Sequence, residues 1–307
     1  MVKLIIKEKF PMKKIIAIVM ALAMVFSLAL VFTSCTDKAA TGEESSTEAD
    51  APESTELVKL ININLSDEEY AFGVDKDQPE LLAQVNAFVE KILSDGTFDK
   101  ICNNYFGDGT PVGVASAELD ETKDQLVVAT NAEFAPFEYK EGELYYGIDM
   151  EVAALLAQEL GKELVIDNMD FDSVCLAVGQ HKCDIAMAGL TIDPAREESV
   201  TFSTAYYAAS QQIIVKADDT RFDNCSDLAA VEAVLASLPA GTKIGAQTGT
   251  TGEAYVKGGS MGFDGINAEC ITYDSGALAA QDLLNGGVDF VIIDAAPAAA
   301  IVAAVNG

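Results

Sequence analysis

The sequence predicts an α/β protein whose main part divides into two lobes. Short apolar strands alternate with amphipathic helices from Leu126 onward, and the same alternation restarts after an extended strand at 211–216. Alternation of this kind is typical of parallel strands joined by crossover helices. Two such units joined by an extended strand predict a cleft between two lobes, and ligands of these sheets bind beyond the carboxyl ends of the strands.

The first 35 residues have the pattern of a secretory signal. Lys13 and Lys14 precede an apolar run at 15–32, and small residues follow before Cys35. The run is long enough to span a bilayer, so an uncleaved anchor is the alternative. A cysteine directly after small residues resembles a bacterial lipobox, and we therefore expect cleavage and lipidation at Cys35. This would place the protein on the extracytoplasmic face of the cell membrane.

Residues 36–57 predict a disordered acidic tether, because nearly all of them are small, acidic or hydroxylated. The 307-residue chain carries a formal net charge of −30, which argues against nucleic acid and against direct binding to anionic membrane surfaces.

Cysteine and histidine usage argues against a metal site. The cysteines after Cys35 are odd in number and contain no C-x-x-C pair, so neither structural zinc nor a full disulfide framework is expected. Export would permit a disulfide, but buried thiols are preferred. The single histidine, His181, lies in a turn-like stretch and is expected to be solvated. We expect no cofactor.

The elements of the two units follow from hydrophobic periodicity and from turn residues. The first unit predicts strands and helices in alternation at 126–130, 149–160, 163–169, 173–179 and 183–189. The second unit repeats the pattern at 225–238, 242–249, 253–259, 268–274, 277–287 and 288–294. Earlier in the chain, two amphipathic helices at 80–93 and 98–105 are separated by a Ser-Asp-Gly break, as at the end of a domain.

The loop after 183–189 predicts an anion site. Asp193 and Pro194 predict an N-cap and a first-turn proline, so a helix should begin there with free N–H groups. Arg196, in the first turn, can grip a carboxylate with two parallel hydrogen bonds. Thr191 adds a hydroxyl and Gly189 permits close backbone approach. An arginine in this position commonly pairs with a surface glutamate, but the combination favours a ligand.

The second unit offers a matching set of groups. Thr250 and Thr251 lie between glycines after a strand, which predicts a concave row of N–H donors without the lysine of a phosphate-binding loop. Asp294, at the carboxyl end of the last strand, could hold an ammonium group or cap the following helix.

Aromatic and amide side chains follow the first strand and its neighbour. Asn131 offers a polar acceptor, and Phe134, Phe137 and Phe171 offer aromatic faces, although an isolated phenylalanine is more often part of a core. An anion clamp, an ammonium acceptor and aromatic walls around one cleft suit a free α-amino acid, which is a zwitterion.

The motifs ATNAEFAPFEY, GIDMEVAALLAQELG, DIAMAGLTIDPAREESVTFSTAYY, IGAQTGTTGEAY and VDFVIID together resemble the polar amino-acid solute-binding proteins of ABC importers, extracellular solute-binding family 3. The resemblance covers nearly all of 58–307. It implies a type II periplasmic-binding-protein-like fold of two α/β lobes joined by two hinge strands. It also implies a monomeric, non-enzymatic protein that closes on a free amino acid and delivers it to an ABC permease.

The resemblance also implies roles for individual residues. Arg196 would bind the α-carboxylate with Thr191 and the backbone near Gly189 and Thr250, Asp294 would bind the α-amine, and two rings would sandwich the side chain. The implied set comprises Asn131, Phe134, Phe171, Ala188, Gly189, Thr191, Arg196, Gln247, Thr250, Thr251 and Asp294. Asn131 stands where many relatives that take cationic or amide side chains carry aspartate, which disfavours Lys, Arg or His and leaves polar neutral ligands preferred.

The order of segments departs from the family pattern. A sequence like 58–107 ends the family chain, whereas here it comes first, so we expect a circular permutation in which 108–124 is an exposed linker. The expected lobes are 67–107 with 125–216 and, for the second, 58–66 with 217–307. A tandem or truncated gene product is the alternative explanation.

Two other functions were weighed. A dehydratase of cyclic acids, similar to cyclohexadienyl dehydratase, could use Glu133 as its acid, but no evident acid–base pair accompanies it. A ligand-sensing module of a signalling system is the other alternative, and no second membrane span or cytoplasmic domain is evident to support it.

Overall fold

The structure is a computed structural model that describes residues 56–307. The predicted signal segment, Cys35 and all but two residues of the predicted tether lie outside the described residues. Within 56–307, no helix has both the length and the apolar character that a membrane crossing requires.

Elements of the early segment and of the first predicted unit follow the periodicity closely. They are β1 (Val58–Ile61), β2 (Glu68–Tyr70), β3 (Gly73–Asp75), α1 (Pro79–Ser94), α2 (Thr97–Phe106), β4 (Gln125–Thr130), β5 (Glu133–Phe134), β6 (Glu138–Glu141), β7 (Leu144–Tyr146), α3 (Ile148–Leu160), β8 (Glu163–Asn168), α4 (Phe171–Gly179) and β9 (Ile185–Ala186). The small three-stranded antiparallel sheet β5–β6–β7 was not predicted.

The remaining elements complete the first lobe and form the second. They are a 3₁₀ turn (Arg196–Glu198), β10 (Val200–Phe202), β11 (Tyr207–Ala209), β12 (Gln211–Lys216), α5 (Leu228–Ala236), β13 (Lys243–Gln247), α6 (Thr251–Lys257), β14 (Glu269–Tyr273), α7 (Gly276–Asn285), β15 (Phe290–Asp294) and α8 (Ala295–Asn306).

Several helices begin and end for local reasons. Asp227, Thr250 and Ser275 cap α5, α6 and α7, each accepting a backbone N–H three residues on. Gly161 ends α3 in the left-handed conformation, as the sequence predicted. Gly96, also left-handed, separates α1 from α2. These side chains fix the lengths of the crossover helices and therefore where each strand-end loop begins.

Two five-stranded sheets form the two lobes. The first has the order β10-β3-β9-β4-β8 and the second the order β1-β12-β15-β13-β14. Within them, β4 pairs in parallel with β8 and β9, and β13 pairs in parallel with β14 and β15. The carboxyl ends of these parallel strands carry the loops that contain the predicted site residues.

Two crossing strands connect the sheets. β2 leads from the second sheet into the first, β11 leads back, and the two pair antiparallel as a separate ribbon. The predicted lobe boundary at residue 216 is wrong for β12. This strand pairs with β1 and β15, so the chain has already entered the second sheet at Gln211.

The early segment is an integral part of both sheets. β1 is the edge strand beside β12, and β3 lies between β10 and β9 in the first sheet. Buried side chains of α1 and α2, including Val85, Phe88 and Ile101, belong to the same core as Leu156 of α3. The predicted helices at 80–93 and 98–105 are therefore confirmed, and they cover the first lobe.

The segment 108–124 is more closely packed than an exposed linker. Val114 is buried and exchanges two backbone hydrogen bonds with Tyr145 of β7, at 2.7 and 2.9 Å. Ala117 donates its N–H to the carbonyl of Leu164, and the N–H of Ile166 donates to Ser116 Oγ. These contacts satisfy polar groups of β8, which is the edge strand of the first sheet.

All five cysteines in the described chain are free thiols. Cys183 is buried and the others are half-buried. Burial raises the pKa of Cys102 and of Cys183 to about 12 and that of Cys270 to about 11. These thiols therefore stay protonated at neutral pH and are poor nucleophiles.

Candidate functional site

Arg196 lies in a 3₁₀ turn between the two lobes. The predicted α-helix at Pro194 is wrong, because helical hydrogen bonding is limited to the three-residue turn Arg196–Glu198. Asp193 instead accepts the N–H of Ala195 in a local turn. The anion-binding N-terminus of an α-helix expected here is therefore absent from this loop, which leaves the guanidinium as its charged anion-binding group.

The guanidinium of Arg196 is positioned by neutral groups. Nη1 donates to the carbonyl of Thr191 at 2.8 Å, and Nη2 donates across the cleft to the carbonyl of Gly249 at 3.1 Å. The side chain lies over the ring of Phe171, 5.1 Å from its centroid. None of the ion pairs formed within 56–307 includes Arg196, whereas Arg221, the other arginine, pairs with Asp219.

Asp294 lies at the end of β15 in the second lobe and is buried. It precedes α8 but makes no capping hydrogen bond with its side chain, so the capping alternative is wrong. Its Oδ1 accepts the hydroxyl of Tyr70 at 2.5 Å. Burial, and then the nearby charge of Glu68, raise the pKa of Asp294 to about 7. An ammonium group would stabilise the ionised form of this carboxylate.

Three residues that the sequence did not point to surround Asp294. Tyr70 and Glu68 lie two residues apart on β2 and are both buried, and Gln211 is the strand partner of Asp294. Gln211 Nε2 donates to Glu68 Oε1 at 3.1 Å. The sequence did offer one indication. Glu68 and Tyr70 are two residues apart and so share one face of a strand, and a glutamate on the same buried face as a tyrosine is unusual.

Gly189 and Thr191 lie where they were expected, but their polar groups are used within the protein. The N–H of Gly189 donates to Asp149 Oδ2 at 2.9 Å, and Thr191 Oγ1 donates to Glu68 at 2.6 Å. Gly189 has φ +55°, and a Cβ there would lie 3.0 Å from the ring of Phe134. The loop is therefore held in place before any ligand contact.

Asp149, in the first turn of α3, is a buried aspartate that contacts this loop. Besides Gly189, it accepts the hydroxyl of Tyr206 at 2.8 and 3.0 Å. Burial raises its pKa to about 7, and the two donors partly oppose that rise. No sequence pattern pointed to Asp149 as a site residue.

The side-chain amides of Asn131 and Gln247 meet from opposite lobes, and the two threonines lie beside Gln247. Gln247 Nε2 donates to Asn131 Oδ1 at 2.8 Å, and Asn131 Nδ2 donates to the carbonyl of Met169. Gln247 Oε1 is buried and has no hydrogen-bond partner in the described part of the chain. Thr250, the cap of α6, donates to the carbonyl of Gln247, and Thr251 is buried beside it.

The aromatic residues are divided between two neighbourhoods. Phe134 packs with Phe137, their ring centroids 6.2 Å apart, while Phe171 lies against Arg196 in a different apolar cluster with Ala188. Both Phe134 and Phe171 are buried. Phe137 is fully buried and belongs to the core rather than to the cleft.

Two further predicted residues lie elsewhere. Glu133, the acid of the dehydratase alternative, is exposed on β5. His181 is exposed as predicted, but its Nδ1 lies 2.7 Å from Asp75 and its Nε2 lies 3.6 Å from Asp77. Each ring nitrogen faces a different carboxylate, and one ligand atom from each of the three residues lies within 4.8 Å of the others, so this group has the spacing of a possible metal site.

The curated relatives of the chain are binding proteins for amino acids. It is 37% identical over 109 residues to the arginine-binding extracellular protein ArtP of Bacillus subtilis (strain 168), covering 36% of this chain and 43% of ArtP. It is 28% identical over 174 residues to ABC transporter arginine-binding protein 1 of Escherichia coli (strain K12), covering 56% and 64% of the two chains. A probable histidine-binding protein of Neisseria gonorrhoeae is 30% identical over 55% of this chain and 58% of that one. The chain thus spans about half the length of these relatives.

Solved structures give the same result for the fold. The ancestral amino acid-binding protein AncCDT-1, titled a precursor of cyclohexadienyl dehydratase, is 31% identical, with a TM-score of 0.50 over 58% of this chain and 73% of that chain. A mutant of ArgBP from T. maritima is 32% identical, with a TM-score of 0.50 over 59% and 72%. The predicted fold, a type II periplasmic-binding-protein-like pair of lobes, is confirmed.

The family itself follows from a match to more than half of the chain. The model of the bacterial extracellular solute-binding proteins, family 3, matches residues 126–293, which include every predicted site residue except Asp294. That range covers the parallel strands of both sheets and the loops at their carboxyl ends. The chain belongs to the bacterial extracellular solute-binding proteins, family 3.

Proposed function

We propose that this protein binds a free amino acid in the cleft between its lobes, outside the cytoplasm, and delivers it to the permease of an ABC importer. The names of the relatives support this function, since they are binding proteins for arginine and histidine and one is an ABC transporter protein. Lipidation at Cys35 would hold the protein at the membrane as a monomer.

The observation that carries the proposal is a separation of opposite charges across the cleft. Among residues 56–307, Arg196 on the first lobe has neutral partners only, and Asp294 on the second is buried without a cation. A zwitterion supplies what each of them lacks. Its carboxylate can accept two parallel hydrogen bonds from the guanidinium, and its ammonium can donate to the aspartate.

Capture would occur by hinge closure around the ribbon of β2 and β11. Two hydrogen bonds join the lobes beside the predicted site residues: Arg196 donates to Gly249, and Gln247 donates to Asn131. A ligand held from both sides adds contacts that exist only in the closed form, so it shifts the population toward closure. The closed shape is what the permease would recognise.

The far end of the cleft favours a polar, uncharged side chain. Asn131 and Gln247 are neutral amides, and the buried Gln247 Oε1 can accept a hydrogen bond from a ligand donor. The rings of Phe134 and Phe171 would contact the aliphatic part. Because the relatives are named for arginine and histidine, L-arginine and L-histidine belong in the test beside L-glutamine.

The proposal is tested by a thermal-shift screen of the common amino acids, cystine, ornithine and citrulline, followed by calorimetric titration. Arg196→Ala should reduce affinity at least 100-fold, since charge-assisted bidentate contacts are among the strongest. Arg221→Ala is the matched control, because it removes the other arginine, which pairs within the second lobe. Equal affinities in the two variants would refute the assigned role of Arg196.

We also propose that the order of segments is a circular permutation. The side chain of Asn306, in the last turn of α8, accepts the N–H groups of Leu57 and Val58 at 2.9 and 3.2 Å and donates to the carbonyl of Val58. A family chain that ran from α8 directly into β1 would need only a short connection here. A tether on residue 57 would then attach to the second lobe.

A relinked variant tests the permutation. It consists of residues 125–307 followed by 58–107, without the segment 108–124. We expect it to fold and to bind the same amino acid as the original chain, within a few-fold in affinity. Stability should fall modestly, because Val114 no longer covers β7 and Ser116 no longer accepts from β8. An unfolded or non-binding product would favour the tandem or truncated-gene explanation.

A further inference from the structure

Glu68 is a buried carboxylate on the hinge strand β2 that the proposed function has not used. Its side chain forms no ion pair within the described part of the chain. A buried charge without a cation is costly unless other donors replace the water it has lost. Its position, two residues from the tyrosine that contacts Asp294, calls for a functional explanation.

Three neutral donors converge on Glu68. Ser66 Oγ donates to Oε1 at 2.5 Å, Gln211 Nε2 donates to the same atom at 3.1 Å, and Thr191 Oγ1 donates to Oε2 at 2.6 Å. A carboxylate can accept about four hydrogen bonds. Gln211 Nε2 also approaches Oε2 at 3.4 Å, so Glu68 is held in one orientation, and Oε2 can accept a stronger donor in place of this weak contact.

The same neighbours connect Glu68 to the two ends of the proposed ligand. Thr191, which donates to Glu68, also accepts the guanidinium of Arg196 through its carbonyl. Tyr70, which lies on the same face of β2 as Glu68, donates to Asp294. Glu68 therefore lies between the residue that supports the carboxylate clamp and the residue that holds the ammonium acceptor.

Gln211 supplies an independent observation. Its side chain is fully buried, and while Nε2 donates to Glu68, Oε1 has no partner among the described residues. Gln211 is also the strand partner of Asp294. An unpaired buried acceptor beside two carboxylates indicates that a donor group belongs at this point.

We propose that Glu68 is a second acceptor for the α-ammonium of the ligand, which would sit between Glu68 and Asp294 with Gln211 Oε1 within reach. An ammonium group has three N–H donors, and these three acceptors would match them. The inference rests on the proposed function, since it assigns another contact within the same cleft. It also gives the cleft a preference for ligands with a primary α-amine over the corresponding α-hydroxy acids.

The experiment compares Glu68→Gln with Glu69→Gln. The second residue is adjacent on the same strand but exposed, so it is a matched control. L-Glutamine and L-arginine are the probes, titrated calorimetrically against wild type and both variants. We expect Glu68→Gln to bind the better probe at least about tenfold more weakly, as for a lost charge-assisted hydrogen bond, and Glu69→Gln to bind it as wild type does.

The melting temperature without ligand distinguishes a binding role from a structural one. Glu68→Gln removes one of two neighbouring buried carboxylates, which favours the folded state, but its amide nitrogen would face one of the three donors, which opposes that gain. We therefore expect a melting temperature within a few degrees of that of wild type. A lower melting temperature with unchanged affinity would assign Glu68 to the fold alone and overturn the inference. Equal affinities in both variants and wild type would do the same while leaving the proposed function in place. If wild type bound neither probe nor any other common amino acid, both proposals would fall.

Discussion

Asp149 of the first lobe and Asp294 of the second are both buried, and the two differ in what surrounds them. Asp149, in the first lobe, accepts one backbone N–H and one tyrosine hydroxyl, so its neighbours are donors from the protein itself. Asp294, in the second lobe, has one tyrosine donor and a second carboxylate, Glu68, nearby. Burial raises the pKa of both to about 7. A raised pKa alone therefore does not distinguish a structural carboxylate from a ligand-binding one. The hydrogen-bond donors and acceptors around each carboxylate make that distinction.

The largest expected effect is the change in the free energy of unfolding with pH. Both aspartates have a higher pKa in the folded protein than in the unfolded chain, where it is about 4. Their contribution to stability is therefore fully present below about pH 4 and is lost as the pH rises through about 7. Burial raises the pKa of Glu138, and the hydrogen bond to Asp75 raises the pKa of His181. The stability that these two groups contribute is therefore also lost with rising pH.

We expect the ligand-free protein to lose several kcal/mol of unfolding free energy between pH 5 and pH 8, at about 1.4 kcal/mol for each pKa unit of each group. The measurement is a series of denaturant or thermal unfolding curves at constant ionic strength. Asp149→Asn and Asp294→Asn should each remove part of the slope. A melting temperature that rises from pH 5 to pH 8 would contradict the assignment of both groups.

The second prediction separates the aspartates by affinity. Asp294→Asn should weaken amino-acid binding by about 10- to 100-fold, because hydrogen bonds to charged groups contribute about 1.5–3 kcal/mol. Its ligand-free stability at pH 8 should be unchanged or higher, since a carboxylate beside Glu68 is removed. Calorimetry and unfolding curves measure the two quantities. Asp289→Asn, exposed just before the same strand, serves as the control.

Asp149→Asn should show the opposite behaviour. Its amide nitrogen would be buried facing the donors of Gly189 and Tyr206, which costs about 1–3 kcal/mol of stability. The affinity of the folded fraction should change less than in Asp294→Asn. If Asp149→Asn lost more affinity than Asp294→Asn without losing stability, the roles assigned to the two aspartates would be reversed.

The smallest effect tests how the first lobe holds its loop. Gly189→Ala and Gly142→Ala both place alanine at positive φ, +55° and +59°, and both should lose about 1 kcal/mol of stability. At Gly142 the new methyl group meets open space, whereas at Gly189 it lies 3.0 Å from the ring of Phe134. Gly189→Ala should therefore lose additional stability and a few-fold in affinity, measured by unfolding and calorimetry. Equal losses of stability in the two variants, with affinity unchanged, would show that the ring of Phe134 moves aside at no cost in free energy.

Much of the fold and part of the site were predictable from the sequence. Strand β12 and helices α1, α2 and α3 were placed within one or two residues, because a strand or helix that buries one face repeats its apolar residues at a fixed period. Arg196 and Asp294 were found because Arg196 lies in the loop after a predicted strand and Asp294 ends another. The 3₁₀ turn at Arg196 was not, since a proline after an N-cap residue starts a turn as readily as a helix.

The sequence by itself determined the parallel strands, the crossover helices and the placement of one cation and one acid in separate units, since these depend on residues close together in the chain. Only the tertiary structure decided that Glu68, Gln211 and Asp294 share one buried site. Glu68 and Gln211 are 143 residues apart in the chain, and Asp294 is 224 residues from Tyr70, the residue on β2 that donates to it. No local period reports on such contacts, because they form only when two sheets and a hinge ribbon pack together.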